Sequence, residues 1–231
     1  ARPGLANRIG ARFADAVAET VPGTLPNAVV TGVPLRHSIE NLNRAQLRAQ
    51  ARAHFGISDD QRVLLVFGGS QGARRINHTI AQGVSQGLFD DVVVIHGYGG
   101  KNDLPAPASA HYRPFPYLDR MDLAYSAADF VICRSGAMTV GEVTAVGLPA
   151  CFVPFPIGNG EQSLNAQPVV SAGGAILVAD ESFSVEYVSS HIIPLLADDA
   201  ALARMSAQSK SVGRPDATGL LADLVEQVMR K

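Results

Sequence analysis

A series of short apolar runs, separated by stretches long enough for a helix, constrains this chain more than any other feature. Val63-Leu64-Leu65-Val66-Phe67, Val92-Val93-Val94-Ile95 and Phe130-Val131-Ile132-Cys133 are apolar throughout, and residues 150–155 and 175–178 read the same way. A strand with one wet face alternates apolar and polar residues, so unbroken runs predict strands buried on both faces. Helix-length spacers make the connections right-handed crossovers between parallel strands. The expected fold is α/β: a Rossmann-like, doubly wound parallel sheet.

Between the strands, helices are predicted over residues 44–55 (ended by Gly56), 73–81, 121–127, 138–146 and 161–172, with further helices filling the chain after residue 178. Leu5, Ile9, Phe13 and Val17 recur at helical spacing and predict an amphipathic helix over residues 5–18. The breakers Val21-Pro22-Gly23 and Leu25-Pro26-Asn27 then form a candidate linker before a short strand at Val29-Val30-Thr31. Residues 97–116 read as a looser passage. The chain opens on Ala1-Arg2-Pro3-Gly4 without Met, as expected of a piece cut from something longer.

Composition removes several function classes. Hydrophobic residues make up 47% of the 231 and charged residues 17%, which supports a core rather than disorder. A net charge of −2 gives no general grip on nucleic acid. Cys133 and Cys151 lie in strand runs and are expected as buried thiols rather than a disulfide. No apolar stretch approaches the ~20 residues a spanning helix needs, and no signal peptide is recognisable.

In doubly wound folds ligands sit at the carboxyl ends of the strands, and four loops there carry chemistry. Arg134-Ser135-Gly136-Ala137-Met138-Thr139-Val140-Gly141-Glu142 runs from a strand into a helix. Small residues at that junction leave N–H groups free for an anion, and Glu142, one turn in, suits a ribose diol. The lesser alternative is a capped helix start with Glu142 as a solvated residue. Gly68-Gly69-Ser70-Gln71-Gly72 allows close backbone approach to a ligand, or is a tight turn needing glycine for geometry alone. It is not G-x-G-x-x-G, and His96 rather than an acid ends the next strand, which argues against a nicotinamide or flavin dinucleotide. Gln162 and Asn165 are three apart, so both amides can reach one polyol, or they are ordinary helix-start polarity. Arg36 follows the turn Thr31-Gly32-Val33-Pro34-Leu35; it can meet a diphosphate, or is a surface arginine. No H-x-x-x-H pair, Walker phosphate loop or D-x-D pair occurs.

Gly68-Gly69-Ser70-Gln71-Gly72-Ala73-Arg74, the 134–142 loop, and Pro154-Phe155 with Gln162 and Asn165, in this order and spacing, resemble the MurG family of UDP-N-acetylglucosamine transferases. The likeness covers residues 27–231 as the donor-binding C-terminal half of a GT-B fold, with residues 1–26 as the end of an acceptor domain plus linker. The resemblance implies a transfer of N-acetylglucosamine from UDP-N-acetylglucosamine to lipid I, forming lipid II in peptidoglycan synthesis. The acceptor C4 hydroxyl attacks C1 with inversion as UDP leaves, without metal or cofactor. Arg36 and Ser70 would contact the diphosphate, the Leu118 backbone would bond uracil, and Met121 would pack near the base. Ala137, Met138 and Thr139 would line the phosphate and nucleoside site, Glu142 would hold the ribose, and Gln162 with Asn165 the sugar.

The resemblance also implies a peripheral enzyme on the cytoplasmic side of the bacterial membrane. Lipid I and the membrane surface would be met by an upstream domain carrying the family's glycine-rich loops and candidate catalytic histidine. No residue of this chain is then catalytic, and the chain binds donor without transferring it. Val33 stands where the family has Asn, Glu161 where it has Gln, and Arg120 where it has a second acid. Two other readings are a different UDP-sugar enzyme of this fold (a diacylglycerol glycosyltransferase or a UDP-N-acetylglucosamine 2-epimerase) and a non-catalytic nucleotide-sugar-binding subunit.

Overall fold

A computed structural model describes residues 3–69, 72–102, 109–157 and 160–230. Six strands form one parallel sheet: β3 (Arg62–Phe67), β4 (Val92–Gly97), β5 (Tyr112–Phe115), β6 (Phe130–Cys133), β7 (Ala150–Phe152) and β8 (Ala175–Leu177). Their order is β5-β4-β3-β6-β7-β8, which puts the reversal of winding between β3 and β6. This is the doubly wound arrangement, and the switch between those two central strands is where such folds bind ligands.

The sequence pattern explains both covered faces. Val63, Leu65, Phe67, Ile95, Val131 and Cys133 point to one face, under α3 (Arg44–His54), α5 (Met121–Ala127), α6 (Ala137–Ala145) and α7 (Glu161–Ser171). Leu64, Val66, Val94, Phe130, Ile132 and Cys151 point to the other, under α4 (Arg74–Ser85) and α10 (Asp199–Val212). The second face is completed by α8 (Val185–Tyr187), a π-turn at Val188–Ile192 and α9 (Ile193–Ala197). Cys133 and Cys151 are buried and unpaired, as expected. They sit on adjacent strands, but Cys151 registers with Ile132, so the two thiols face opposite sides of the sheet.

Three local expectations need correction. The amphipathic helix ends early: α1 spans Leu5–Gly10, and Ala18 belongs to β1 (Ala18–Glu19), which pairs with β2 (Val29–Val30). No residue of α1 is buried, and Leu5, Ile9 and Phe13 are all exposed, so nothing packs on the stripe to extend it. The loose passage hides β5, where Pro114 registers with His96; a proline is tolerated there because β5 is an edge strand. The strand expected over 150–155 stops at Phe152, before Pro154.

The proposed linker is an ordered turn. Glu19 accepts bonds from the N–H groups of Gly23, Thr24 and Leu25 and from the Thr24 hydroxyl, at 2.7–3.0 Å. Burial alone would raise its pKa, but these donors outweigh it and hold the carboxyl below the usual range. From β2 the chain crosses α6 to the short α2 (His37–Glu40), which sets Arg36 beside Glu142. At the far end, α11 (Ala217–Met229) closes the described chain.

Candidate functional site

The site is built around the first turns of α6. Gly136 gives that helix no side-chain cap, and its first internal bond runs from Val140 N to Gly136 O at 2.9 Å. The N–H groups of Ala137, Met138 and Thr139 therefore have no intrahelical acceptor, at the positive end of the helix dipole. A carboxylate, Glu142, sits behind them, its side chain 8% exposed.

Six of the residues expected from sequence share one cleft of about 240 Å³: Arg36, Leu118, Met121, Met138, Thr139 and Glu142. Phe67, Gly69, Gly97, Gly99, Pro116 and Tyr117 complete its wall. Among the described residues neither the N–H nor the carbonyl of Leu118 has a hydrogen-bond partner in the protein, so both can read the edge of a base. Leu118 packs onto Gly97, where a Cβ would come within 2.9 Å of its Cδ1. A side chain at this strand end would push the Leu118 side chain outward from that rim.

Both Glu142 oxygens are engaged. Arg36 donates to Oε1 from Nη2 at 2.8 Å and from Nε at 3.3 Å, and the Tyr125 hydroxyl donates to Oε2 at 2.9 Å. The bond to Glu142 raises the Arg36 pKa against the effect of burial. Tyr125 is fully buried; desolvation first, and then the Glu142 charge, push its pKa well up, so it remains a neutral donor. Oε1 already accepts twice from Arg36, whereas Oε2 keeps a second lone pair for a hydroxyl of a diol. Arg36 is 53% exposed on its side chain and is free at its outer edge to turn toward an anion at the α6 N-terminus.

Tyr125 was not anticipated, although a signal was present: a tyrosine following Leu123-Ala124 in a short helix between two strands must, once buried, find a polar partner for its hydroxyl. Tyr125→Phe leaves Glu142 Oε2 without its fixed donor. It is expected to weaken UDP binding by about 1 kcal/mol, roughly fivefold. Calorimetry giving an unchanged affinity would show that Tyr125 only packs.

The remaining expected residues are distributed around this cleft. Ala137 and Asn165 line a neighbouring cavity of about 480 Å³ on another side of α6, with Thr20, Gly32 and Val33. Asn165 is buried, donates to Ser135 O at 3.1 Å, and leaves its Oδ1 without a partner. Gln162 lies instead in a third, open hollow of about 1110 Å³, where its Oε1 accepts from Phe155 N at 2.9 Å. The two amides are thus not brought to one wall. Ser70 lies outside the described residues.

The glycine loop serves geometry and access at once. Gly72 has φ +73°, and a Cβ there would lie 2.0 Å from Tyr98 O, so this glycine is demanded by the fold. Gly69 has φ +89° with nothing within 4 Å of a Cβ, and it borders both the nucleotide-sized cleft and the open hollow. Among the described residues no group of three or more His, Cys, Asp or Glu side chains is gathered as metal ligands are, and no helix is long and apolar enough to cross a membrane.

Comparison with known proteins bears on the family and the fold. Residues 63–221 match the glycosyltransferase family 28 C-terminal domain. The whole chain is 55% identical to the UDP-N-acetylglucosamine–N-acetylmuramyl-(pentapeptide) pyrophosphoryl-undecaprenol N-acetylglucosamine transferase of Mycolicibacterium smegmatis, covering 61% of that protein. It is 53% identical to the transferase of the same name from Mycobacterium leprae, covering 58% of it. The chain thus spans about three-fifths of the length of these curated relatives. Among solved structures, MurG of Acinetobacter baumannii superposes with a TM-score of 0.78 at 29% identity, over 98% of this chain and 64% of that one. A UDP-GlcNAc 2-epimerase from Neisseria meningitidis shares the fold, with a TM-score of 0.57 at 16% identity over 89% of this chain and 55% of the other.

Proposed function

The chain belongs to the family of glycosyltransferase family 28 C-terminal domains, and from that membership we propose that it is the donor-binding part of a transferase moving N-acetylglucosamine from UDP-N-acetylglucosamine to an N-acetylmuramyl-(pentapeptide) pyrophosphoryl-undecaprenol. The product is the lipid-linked disaccharide of peptidoglycan synthesis, and the work is done at the cytoplasmic face of the membrane. One observation carries the reading: a buried carboxylate, Glu142, clamped by Arg36 and Tyr125 directly behind an uncapped helix start at the switch point of the sheet. A nucleoside diphosphate supplies the diol for the first and the negative charge for the second.

On this reading the base lies along Leu118 and Met121, the ribose on Glu142, and the diphosphate over the N–H groups of residues 137–139. The sugar projects past Gly69 toward Gln162. In the transfer the acceptor oxygen forms a bond to C1 as the bond from C1 to the β-phosphate oxygen breaks. The electron pair leaves with UDP, where the α6 dipole and the guanidinium of Arg36 offset the growing charge. The proton of the acceptor hydroxyl passes to a base in the region these relatives carry beyond the stretch matched here.

Calorimetry with paired ligands tests the assignment. Glu142→Gln keeps the shape but loses the charge, and is expected to weaken UDP and UDP-N-acetylglucosamine alike by about 1.5 kcal/mol, roughly tenfold. Gln162→Ala should weaken only the sugar-bearing ligand, roughly fivefold for a neutral hydrogen bond. Equal losses on both ligands for Gln162→Ala would move that residue out of the sugar site. Unchanged affinity in Glu142→Gln would remove the ribose assignment.

A further inference from the structure

Across Gly69 from the nucleotide cleft, the open hollow of about 1110 Å³ is far larger than one donor sugar requires, and the charge of its described lining is unbalanced. Arg74 and Arg75 open α4, Lys101 joins them in the lining, and Arg134 follows the last residue of β6. Among the described residues Asp180 is the carboxylate in the lining, and it is shared between Arg134 Nη1 at 2.5 Å and Arg75 Nε at 3.2 Å. Arg74 and Lys101 are exposed and, among the described residues, have neither an ion-pair nor a hydrogen-bond partner. The start of α4 sharpens the imbalance: no acid lies in its first turn, Ala73 provides no cap, and two arginines sit at the positive end of the dipole. That is the wrong sign for a helix start unless an anion shares the space.

The lining is not only charged. Phe155 forms an apolar wall with Pro156, and the Arg134 guanidinium lies 5.6 Å from the centroid of its ring. We propose that this hollow seats the peptide stem of the acceptor and holds its carboxylates with Arg74 and Lys101, an inference that rests on the transferase reading above. The relatives' acceptor consists of a muramyl sugar, a pentapeptide, a pyrophosphate and a polyprenol. A pyrophosphate has no apolar bulk to set against Phe155, and a polyprenol has no charge for Arg74. The peptide has both. Gln162 opens into the same hollow, so an acceptor sugar meeting the donor sugar there carries its peptide along the α4 side.

The test is a titration of the UDP-saturated chain with an N-acetylmuramyl pentapeptide lacking the pyrophosphoryl lipid, followed by NMR shifts and calorimetry. Binding is expected with a dissociation constant on the order of 1 mM. The Arg74→Gln/Lys101→Gln double variant should weaken it about fivefold, the scale of two exposed ion pairs, and leave UDP affinity unchanged. The same peptide with its carboxyls amidated should bind no better to the unaltered chain than the acid form does to the variant. UDP bound with no uptake of the peptide, or equal uptake of acid and amide, overturns this proposal alone. Inorganic pyrophosphate binding the same cations more tightly than the peptide also overturns it. Failure of UDP to bind in that titration removes the nucleotide-sugar reading, and this inference with it.

Discussion

Asp129→Ala is expected to destabilise the chain by about 3–5 kcal/mol, because it strands a buried arginine. Asp129 precedes β6, with its side chain 9% exposed. It accepts from Arg48 Nη2 at 2.6 Å, Arg52 Nη2 at 3.3 Å and the Val63 N–H at 2.8 Å, and it faces Arg62 at 3.8 Å. Arg48 and Arg62 reach solvent and can rehydrate, but Arg52 is 1% exposed. Its other bonds run to the carbonyls of Ser58 and Asp59, which do not neutralise it, and desolvation already lowers its pKa. The first turn of β3 pairing would also lose the acceptor for Val63. Urea unfolding should show the midpoint shift at unchanged slope. UDP affinity of the folded variant should be unaltered, because Asp129 lies at the amino ends of the strands and the site at their carboxyl ends. Arg52→Leu in the Asp129→Ala background should recover part of the loss; a loss below about 1 kcal/mol would mean that Arg52 finds water.

This cluster shows what the sequence could and could not disclose. The strands were legible because burial on both faces leaves nothing polar to interrupt runs such as Val63 to Phe67. The edge strand β5 was not, because Pro114 is a breaker signal wherever position in the sheet is unknown. Likewise Arg48 and Arg52 look like the polar side of an amphipathic helix; only the packing of α3 against the strand starts reveals that one of them is sealed inside.

At the site, spacing within one segment was informative and contact between segments was not. Glu142 one turn beyond Gly136 follows from the helix period alone. That Arg36 would lie on Glu142, 106 residues away, depends on the strap from β2 crossing α6. Tyr125 and Glu142 belong to consecutive crossovers, so their contact required the β6 registration between them. Gln162 and Asn165 mark the limit of the helix-face argument. Three residues apart is close enough to share a face, yet Asn165 turns inward to Ser135 while Gln162 turns back to the Phe155 N–H.

Acid should weaken the fold through His96, well above the pH at which carboxylates protonate. His96 is the last residue but one of β4 and is completely buried. Its Nδ1 stands 2.8 Å from the Tyr112 hydroxyl and its Nε2 3.1 Å from Asn77 Oδ1. Asn77 Nδ2 donates to Tyr98 O at 2.8 Å, which makes Oδ1 the acceptor, so the proton of the neutral ring sits on Nε2 and Nδ1 accepts from Tyr112. Burial disfavours a charged ring and lowers the pKa from 6.5 to about 3. The sign follows directly. The unfolded chain takes up a proton as pH falls through about 6.5 and the folded chain does not, so the stability present above that value is lost progressively down to about pH 3. The slope is about 1.4 kcal/mol per pH unit, or roughly 2 kcal/mol between pH 6.5 and 5. Glu19, Asp122 and Glu186, whose pKa values are lowered, add their losses only nearer pH 4 and below. Unfolding midpoints at pH 6.5 and 5 for the unaltered chain and for His96→Gln, whose amide can serve both neighbours but does not titrate, decide the matter. The drop should be present in the first and largely absent in the second; parallel drops would place the acid-sensitive group elsewhere.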